Sequence, residues 1–175
     1  QTGADAWQLF ATWAALALVW ALAARRDAFW AVWLLITGLA LALWSGDALF
    51  SPLQTLLGGR SSRSLLTPVL WVAVFLLPLA LPRLRLLREG AATAPLSWRL
   101  AALMALGAWC AYAVFGLLMR DQLWQYFFNG LLVLGAAALA WALRPRDFVV
   151  LGLSVLALNV VVVGGFARLL LDGAR

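Results

Sequence analysis

The chain contains no histidine and no lysine, and it has a single cysteine, Cys110. Without histidine, the Ser–His and Cys–His pairs of nucleophilic catalysis cannot be assembled, and without lysine a Ser–Lys pair is excluded as well. One cysteine excludes an intrachain disulfide, and the ligand clusters of zinc, haem and iron–sulfur sites are missing. The sequence therefore predicts a protein that is not an enzyme, with no catalytic residues, no metal and no cofactor.

Charge is scarce too. Only 11% of the 175 residues are charged and 66% are hydrophobic, with a mean hydropathy of +0.96. A soluble domain carries about 25% charged and about 45–50% apolar residues, so this chain has too few polar residues to cover a wet surface. The thirteen basic residues are all arginines and give a net charge of +6. Because they lie at the ends of apolar runs, we interpret them as orientation signals and expect no nucleic-acid partner.

Six apolar runs are long enough to cross about 30 Å of hydrocarbon at about 1.5 Å per residue. They predict an all-α, polytopic transmembrane helical bundle of one domain over 1–175. The third run is the weakest, because it is short and contains prolines, which remove a backbone donor. The predicted spans are 5–24, 28–49, 65–81, 98–119, 123–143 and 148–171.

The arginines predict the topology. One set of eight flanks the turns that follow spans one, three and five, and the other five lie at the opposite ends. The positive-inside rule places the larger set in the cytoplasm, so both termini are expected on the non-cytoplasmic side of a bacterial inner (plasma) membrane. The larger set is Arg25, Arg26, Arg83, Arg85, Arg88, Arg99, Arg144 and Arg146, and the smaller set is Arg60, Arg63, Arg120, Arg168 and Arg175.

Two of these turns have similar sequences, WALAARRD at 20–27 and WALRPRD at 141–147. Each combines an interfacial tryptophan, two arginines and an aspartate that starts the next helix, where a carboxylate is favourable. One hypothesis is an internal duplication in which 1–49 matches 123–171. The alternative is that tight inner turns in an arginine-rich protein converge on the same chemistry.

The sequence has eleven tryptophans. Most fall near the predicted membrane boundaries, as expected of an aromatic belt, whereas Trp13, Trp71 and Trp109 fall deeper. These three are candidates for an aromatic wall that contacts an apolar ligand or lipid. Plain helix packing is the alternative interpretation.

Polar residues inside a span are candidates for function. Asn129 and Asn159 lie at similar depth on the two sides of the last turn, so we expect their amides to hydrogen-bond either as helix packing or as part of a binding site. Gln125, Tyr126 and Tyr112 extend this candidate ligand or pore site outward. Several glycines and alanines allow close approach between helices. These are Gly130, Gly135, Gly164 and Gly165 and, on span four, Ala101, Ala105 and Ala108.

No acidic residue is predicted at the midplane, which disfavours a proton-driven transporter. Arg168 lies inside the last span near its outer end. One interpretation is a local ion pair with Asp172, one helical turn further on, and the other is an anion-binding vestibule that Arg168 forms with Arg120. Two longer connections, SPLQTLLGGRSSRS at 51–64 and RLRLLREG at 83–90, are predicted to lie on the membrane surface.

Together these patterns predict an accessory or binding subunit. Its expected partners are membrane lipids or a lipid-like ligand and either another membrane protein or a second copy of itself. The alternative is a small oligomeric facilitator or channel for a neutral or anionic small molecule. Because the first residue is Gln1 and not methionine, a third hypothesis is that these helices belong to a longer protein with a soluble domain elsewhere.

Overall fold

The computed structural model describes residues 6–45, 66–87, 95–118, 123–143 and 147–173, and within them the chain is helical with no strand. Each helix is long and apolar enough to cross a membrane, so the prediction of an all-α, multi-pass membrane protein with six spans is confirmed. The 51–64 connection lies outside the described residues. The helices are α1 (Ala6–Ala24), α2 (Asp27–Ser45), α3 (Leu66–Arg83), α4 (Pro95–Leu118), α5 (Leu123–Ala142) and α6 (Phe148–Gly173).

The proline-rich third span forms a full helix. Pro68 lies in the first turn of α3, where a backbone N–H has no helical acceptor, so its missing donor costs no hydrogen bond. Pro78 and Pro82 lie inside the helix and each removes one bond of the ladder. Pro78 is also fully buried, which keeps the gap in the ladder away from lipid.

The C-terminus of α3 ends in a Schellman motif. Arg85 has a left-handed backbone conformation, with a φ of 55°. Arg25, at the corresponding position after α1, has a φ of 51°. The N–H of Leu86 donates to the Leu81 carbonyl at 3.0 Å, and the N–H of Arg85 donates to the Pro82 carbonyl at 3.2 Å. These bonds satisfy two carbonyls that the helix leaves without partners.

The chain divides into two compact units, Gln1–Met104 and Ala105–Arg175, with the boundary inside α4. The single bundle expected from the sequence stays a prediction. In the first unit α1 and α2 pack as a hairpin, joined by the hydrogen bond from the Trp33 indole to the Ala14 carbonyl at 3.0 Å. Ala21, Trp30 and Leu81 form a buried cluster at the end of the unit where α1 and α3 finish.

In the second unit α5 packs against α6. Glycines lie at two contacts of α6, because a methyl group at Gly130 of α5 would lie 3.4 Å from Val161, and one at Gly164 of α6 would lie 3.2 Å from Leu117 of α4. A methyl group at Gly135 would meet no atom within 4 Å, so Gly135 makes no close helix contact within the described residues. The thiol of Cys110 donates to the Ala157 carbonyl at 3.4 Å and links α4 to α6.

Candidate functional site

The second unit contains a cavity of about 460 Å³ between the end of α4, the start of α5 and the last third of α6. Apart from Tyr126 and Arg168, the wall is apolar. Pockets that bind small molecules have this character, with an apolar lining and a few polar groups that fix orientation. The lining residues are Leu117, Leu123, Tyr126, Phe127, Val162, Gly165, Phe166, Arg168 and Leu169.

Arg168 supplies the positive charge of the cavity. Its guanidinium donates a hydrogen bond to the Leu117 carbonyl, one residue before the end of α4. Carbonyls in the last turn of a helix have no helical partner and carry the negative end of the helix dipole, so a cation there is favourable. The guanidinium therefore both stabilises the end of α4 and lines the cavity.

Tyr126 supplies the second polar group of the wall. Its hydroxyl donates to the Val161 carbonyl at 3.0 Å and so ties α5 to α6. A methyl group at Gly165 would lie 2.4 Å from that hydroxyl oxygen, so only glycine leaves room for the end of the tyrosine ring. Gly165 therefore shapes the cavity by fixing where Tyr126 lies.

The predicted asparagine pair does not form. The Asn129 amide donates to the Gln125 carbonyl of its own helix at 2.8 Å, and its side-chain oxygen is buried with no hydrogen-bond partner. Asn129 is 1% exposed, whereas Asn159 is exposed on α6. The two amides lie in different environments, because similar depth along two helices leaves the rotation of each helix about its axis undetermined.

The other predicted site residues fall into two groups. Gln125 and Tyr112 are half-buried and do not line the cavity, whereas Arg168 does. The vestibule partner Arg120 lies outside the described residues, as does the side chain of Asp172, so the two interpretations of Arg168 stay predictions. Sequence reasoning missed Phe127 and Phe166, because apolar aromatic residues in an apolar span give no signal of a cavity.

The three deep tryptophans do not share one environment. Trp13 is 58% exposed on α1, whereas Trp71 and Trp109 are each 1% exposed. Trp13 therefore faces outward, where lipid lies if the helix spans a membrane, and the other two are packing residues. Trp30 and Trp98 were expected in the aromatic belt but are also buried. The Trp30 indole donates to the Leu86 carbonyl at 3.2 Å. The Trp98 ring packs against Phe75, with ring centroids 4.8 Å apart.

The two similar turns differ in what their aspartates do. Asp147 accepts from the N–H of Val149 at 3.0 Å and caps its own helix, as predicted. Asp27 accepts instead from the N–H groups of Leu96 at 2.6 Å and Ser97 at 3.1 Å, which belong to the first turn of α4. Asp27 starts α2 as predicted, but its carboxylate caps α4, because the fold brings the unsatisfied start of that helix within its reach.

Among the described residues, no group of three or more His, Cys, Asp or Glu side chains is placed to hold a metal ion. No family model, curated protein or solved structure matches this chain.

Proposed function

We propose that this chain is a binding or accessory protein of a bacterial inner membrane whose second unit takes an anionic, lipid-like amphiphile into the cavity beside Arg168. The observation that carries the proposal is a guanidinium in the wall of an otherwise apolar cavity. Guanidinium groups bind phosphate and carboxylate in a fork geometry. Apolar walls suit an acyl chain, so one cavity offers both halves of an amphiphile a favourable contact.

The position of the cavity supports the same proposal. Arg168 lies near the C-terminal end of α6, a helix of 26 residues, and we expect its guanidinium at the depth where lipid headgroups begin when α6 spans a membrane. Val162 and Phe166, which also line the cavity, precede Arg168 on α6 and so lie deeper in the predicted span. An amphiphile entering from the bilayer would therefore keep its charged end at the interface and its chain in hydrocarbon.

The facilitator alternative has less support. An oligomeric path lined by both asparagines needs them to face the same space, but Asn129 is buried within the chain and Asn159 is exposed. The cavity beside Arg168 contains neither of them. A binding role needs only the cavity, so we favour it.

The test is lipid binding by the purified protein, measured by native mass spectrometry with phosphatidylglycerol and phosphatidylcholine offered together. We expect phosphatidylglycerol to be retained preferentially. Arg168→Gln should weaken its retention about 10-fold or more, since a hydrogen bond to a charged group contributes about 1.5–3 kcal/mol. Arg83→Gln, which removes the same charge from the end of α3 in the other unit, is the matched control and should leave retention unchanged.

A second variant tests the cavity itself. Leu123→Trp should fill it, because Leu123 lines the wall, whereas Leu131→Trp places the same ring at an exposed position of α5 outside it. Loss of lipid in the first and retention in the second supports the cavity. Equal retention of both lipids by all four variants contradicts the proposal.

A further inference from the structure

The exposed amide of Asn159 has no hydrogen-bond partner among the described residues, and it lies at the middle of α6. Eleven residues of the predicted span precede it and twelve follow, which at about 1.5 Å per residue leaves roughly 17 Å of helix on either side. An asparagine side chain is too short to reach the interface from that depth. Its amide therefore faces hydrocarbon in an isolated copy, which is unfavourable because hydrocarbon offers no hydrogen-bonding groups.

The amide lies within an exposed apolar stripe. Residues on one side of α6 follow alternating steps of four and three, the spacing with which packed helices meet each other. All six members of this α6 stripe are exposed, so the chain itself does not cover them. They are Gly152, Leu156, Asn159, Val163, Phe166 and Leu170.

Gly152 adds a second, separate observation. A methyl group at this position would meet no atom within 4 Å, so the chain's own packing does not require a glycine there. Gly152 lies two turns before Asn159 on the same stripe. Small residues on an outward face let the backbone of another helix approach closely enough for an amide to bond across the contact.

We propose that the α6 stripe is the interface of a homodimer in which the Asn159 amides of two copies hydrogen-bond to each other. A carboxamide carries both donors and an acceptor, so it is complementary to a second carboxamide. Two copies inserted in the same orientation place their Asn159 residues at the same depth about a twofold axis normal to the membrane. A different partner would need its own polar group at that depth, whereas a second copy always has one, its own Asn159 amide.

The proposal is independent of lipid binding, because the stripe and the cavity share only Phe166. The test is energy transfer between donor-labelled and acceptor-labelled copies of the full chain, reconstituted in phosphatidylcholine vesicles over a series of protein-to-lipid ratios. We expect saturable dimerisation by the wild type. Asn159→Leu should raise the dissociation constant by about 3- to 30-fold, the range of interhelical hydrogen bonds in membranes, and Asn159→Gln should retain part of the affinity.

Substitutions at two glycines test whether close packing along the α6 stripe is needed for the dimer. Gly152→Leu should abolish energy transfer, whereas Gly135→Leu, at an equally open position of α5, should not. Both variants and Asn159→Leu change outward positions, and circular dichroism in the same vesicles checks that they remain helical. A wild type that stays monomeric at every ratio overturns the proposal, and so does an Asn159→Leu variant that dimerises as tightly as the wild type.

Discussion

At the scale of single residues, Asp27 shows how one side chain reaches beyond its own helix. Its carboxylate accepts the N–H groups of Leu96 and Ser97, two of the donors that the start of α4 leaves without helical acceptors. Asp27→Ala should therefore lower the free energy of unfolding by about 1 kcal/mol, the usual value of such a cap. Hydrogen exchange should become faster at Leu96 and Ser97, 69 and 70 residues away in sequence.

Asp147 is the internal control for that prediction. Asp147→Ala removes an equivalent carboxylate, but that carboxylate accepts a hydrogen bond from the N–H of Val149 in its own helix. It should speed exchange at the start of α6 and leave Leu96 and Ser97 unchanged. If Asp27→Ala leaves exchange at Leu96 as slow as in the wild type, the contact between the turn and α4 does not exist in solution.

A second residue-scale prediction concerns Arg85. Its φ of 55 is in the left-handed region, which costs a residue with a side chain about 1 kcal/mol and glycine almost nothing. Arg85→Gly should therefore raise the free energy of unfolding, by up to about 1 kcal/mol, in a titration with denaturing detergent. Arg83→Gly removes the same charge from a helical position of α3 and should lower it by about 1 kcal/mol. The same sign for both would show that charge and not backbone strain decides the result.

At the scale of helices, Gly165 lies at a close contact between α5 and α6 at the cavity. A methyl group there would lie 2.4 Å from the Tyr126 hydroxyl oxygen and 3.2 Å from the ring carbon that bears it. Gly165→Ala should displace the ring, break the bond to the Val161 carbonyl and lower the free energy of unfolding by about 1–3 kcal/mol. Gly135→Ala, where the methyl group meets nothing, should be neutral or slightly stabilising because alanine favours helix.

Combining Gly165→Ala with Tyr126→Phe tests whether the loss of stability comes from the clash between the new methyl group and the tyrosine hydroxyl. Tyr126→Phe removes the hydroxyl, which is the atom in closest conflict, so Gly165→Ala should cost less in that background than in the wild type. A double-mutant cycle in the same unfolding assay measures the difference. Additive effects would mean that Gly165 and Tyr126 do not interact.

The positions of the helices along the chain were predictable from this sequence, but the side of each helix that is buried was not. Length and apolarity fix a span, and even the proline-containing third span forms a helix at Leu66–Arg83. Which side of a helix is buried depends on side-chain contrast, and in a nearly uniform apolar run that contrast is almost absent. For this reason Asn129 and Asn159 were placed at similar depth but wrongly paired. Two residues of the cavity wall, Tyr126 and Arg168, were candidates from the sequence, because their polar groups differ from the surrounding apolar residues.

At the scale of the whole molecule, the positive-inside rule predicts that the arginine-rich turns lie in the cytoplasm and that both termini lie on the other side of the membrane. The first unit supports part of this arrangement, because the turn after α1 and the segment after α3 lie at one end of it: the Trp30 indole donates to the Leu86 carbonyl and Asp27 bonds to the start of α4. A topology that places one of these segments in the cytoplasm must therefore place the other there too.

Cysteine labelling tests the orientation in intact cells. In a Cys110→Ser background, which keeps a donor for the Ala157 carbonyl, single substitutions Arg25→Cys and Leu84→Cys introduce thiols at exposed positions of those two segments. Both should resist a membrane-impermeant maleimide until the inner membrane is permeabilised, because the positive-inside rule retains arginine-rich turns in the cytoplasm. A reporter cysteine appended after Arg175 should react without permeabilisation. Labelling of Arg25→Cys but not Leu84→Cys in intact cells would contradict the shared end of the first unit, whereas labelling of both would invert the topology and leave the fold intact.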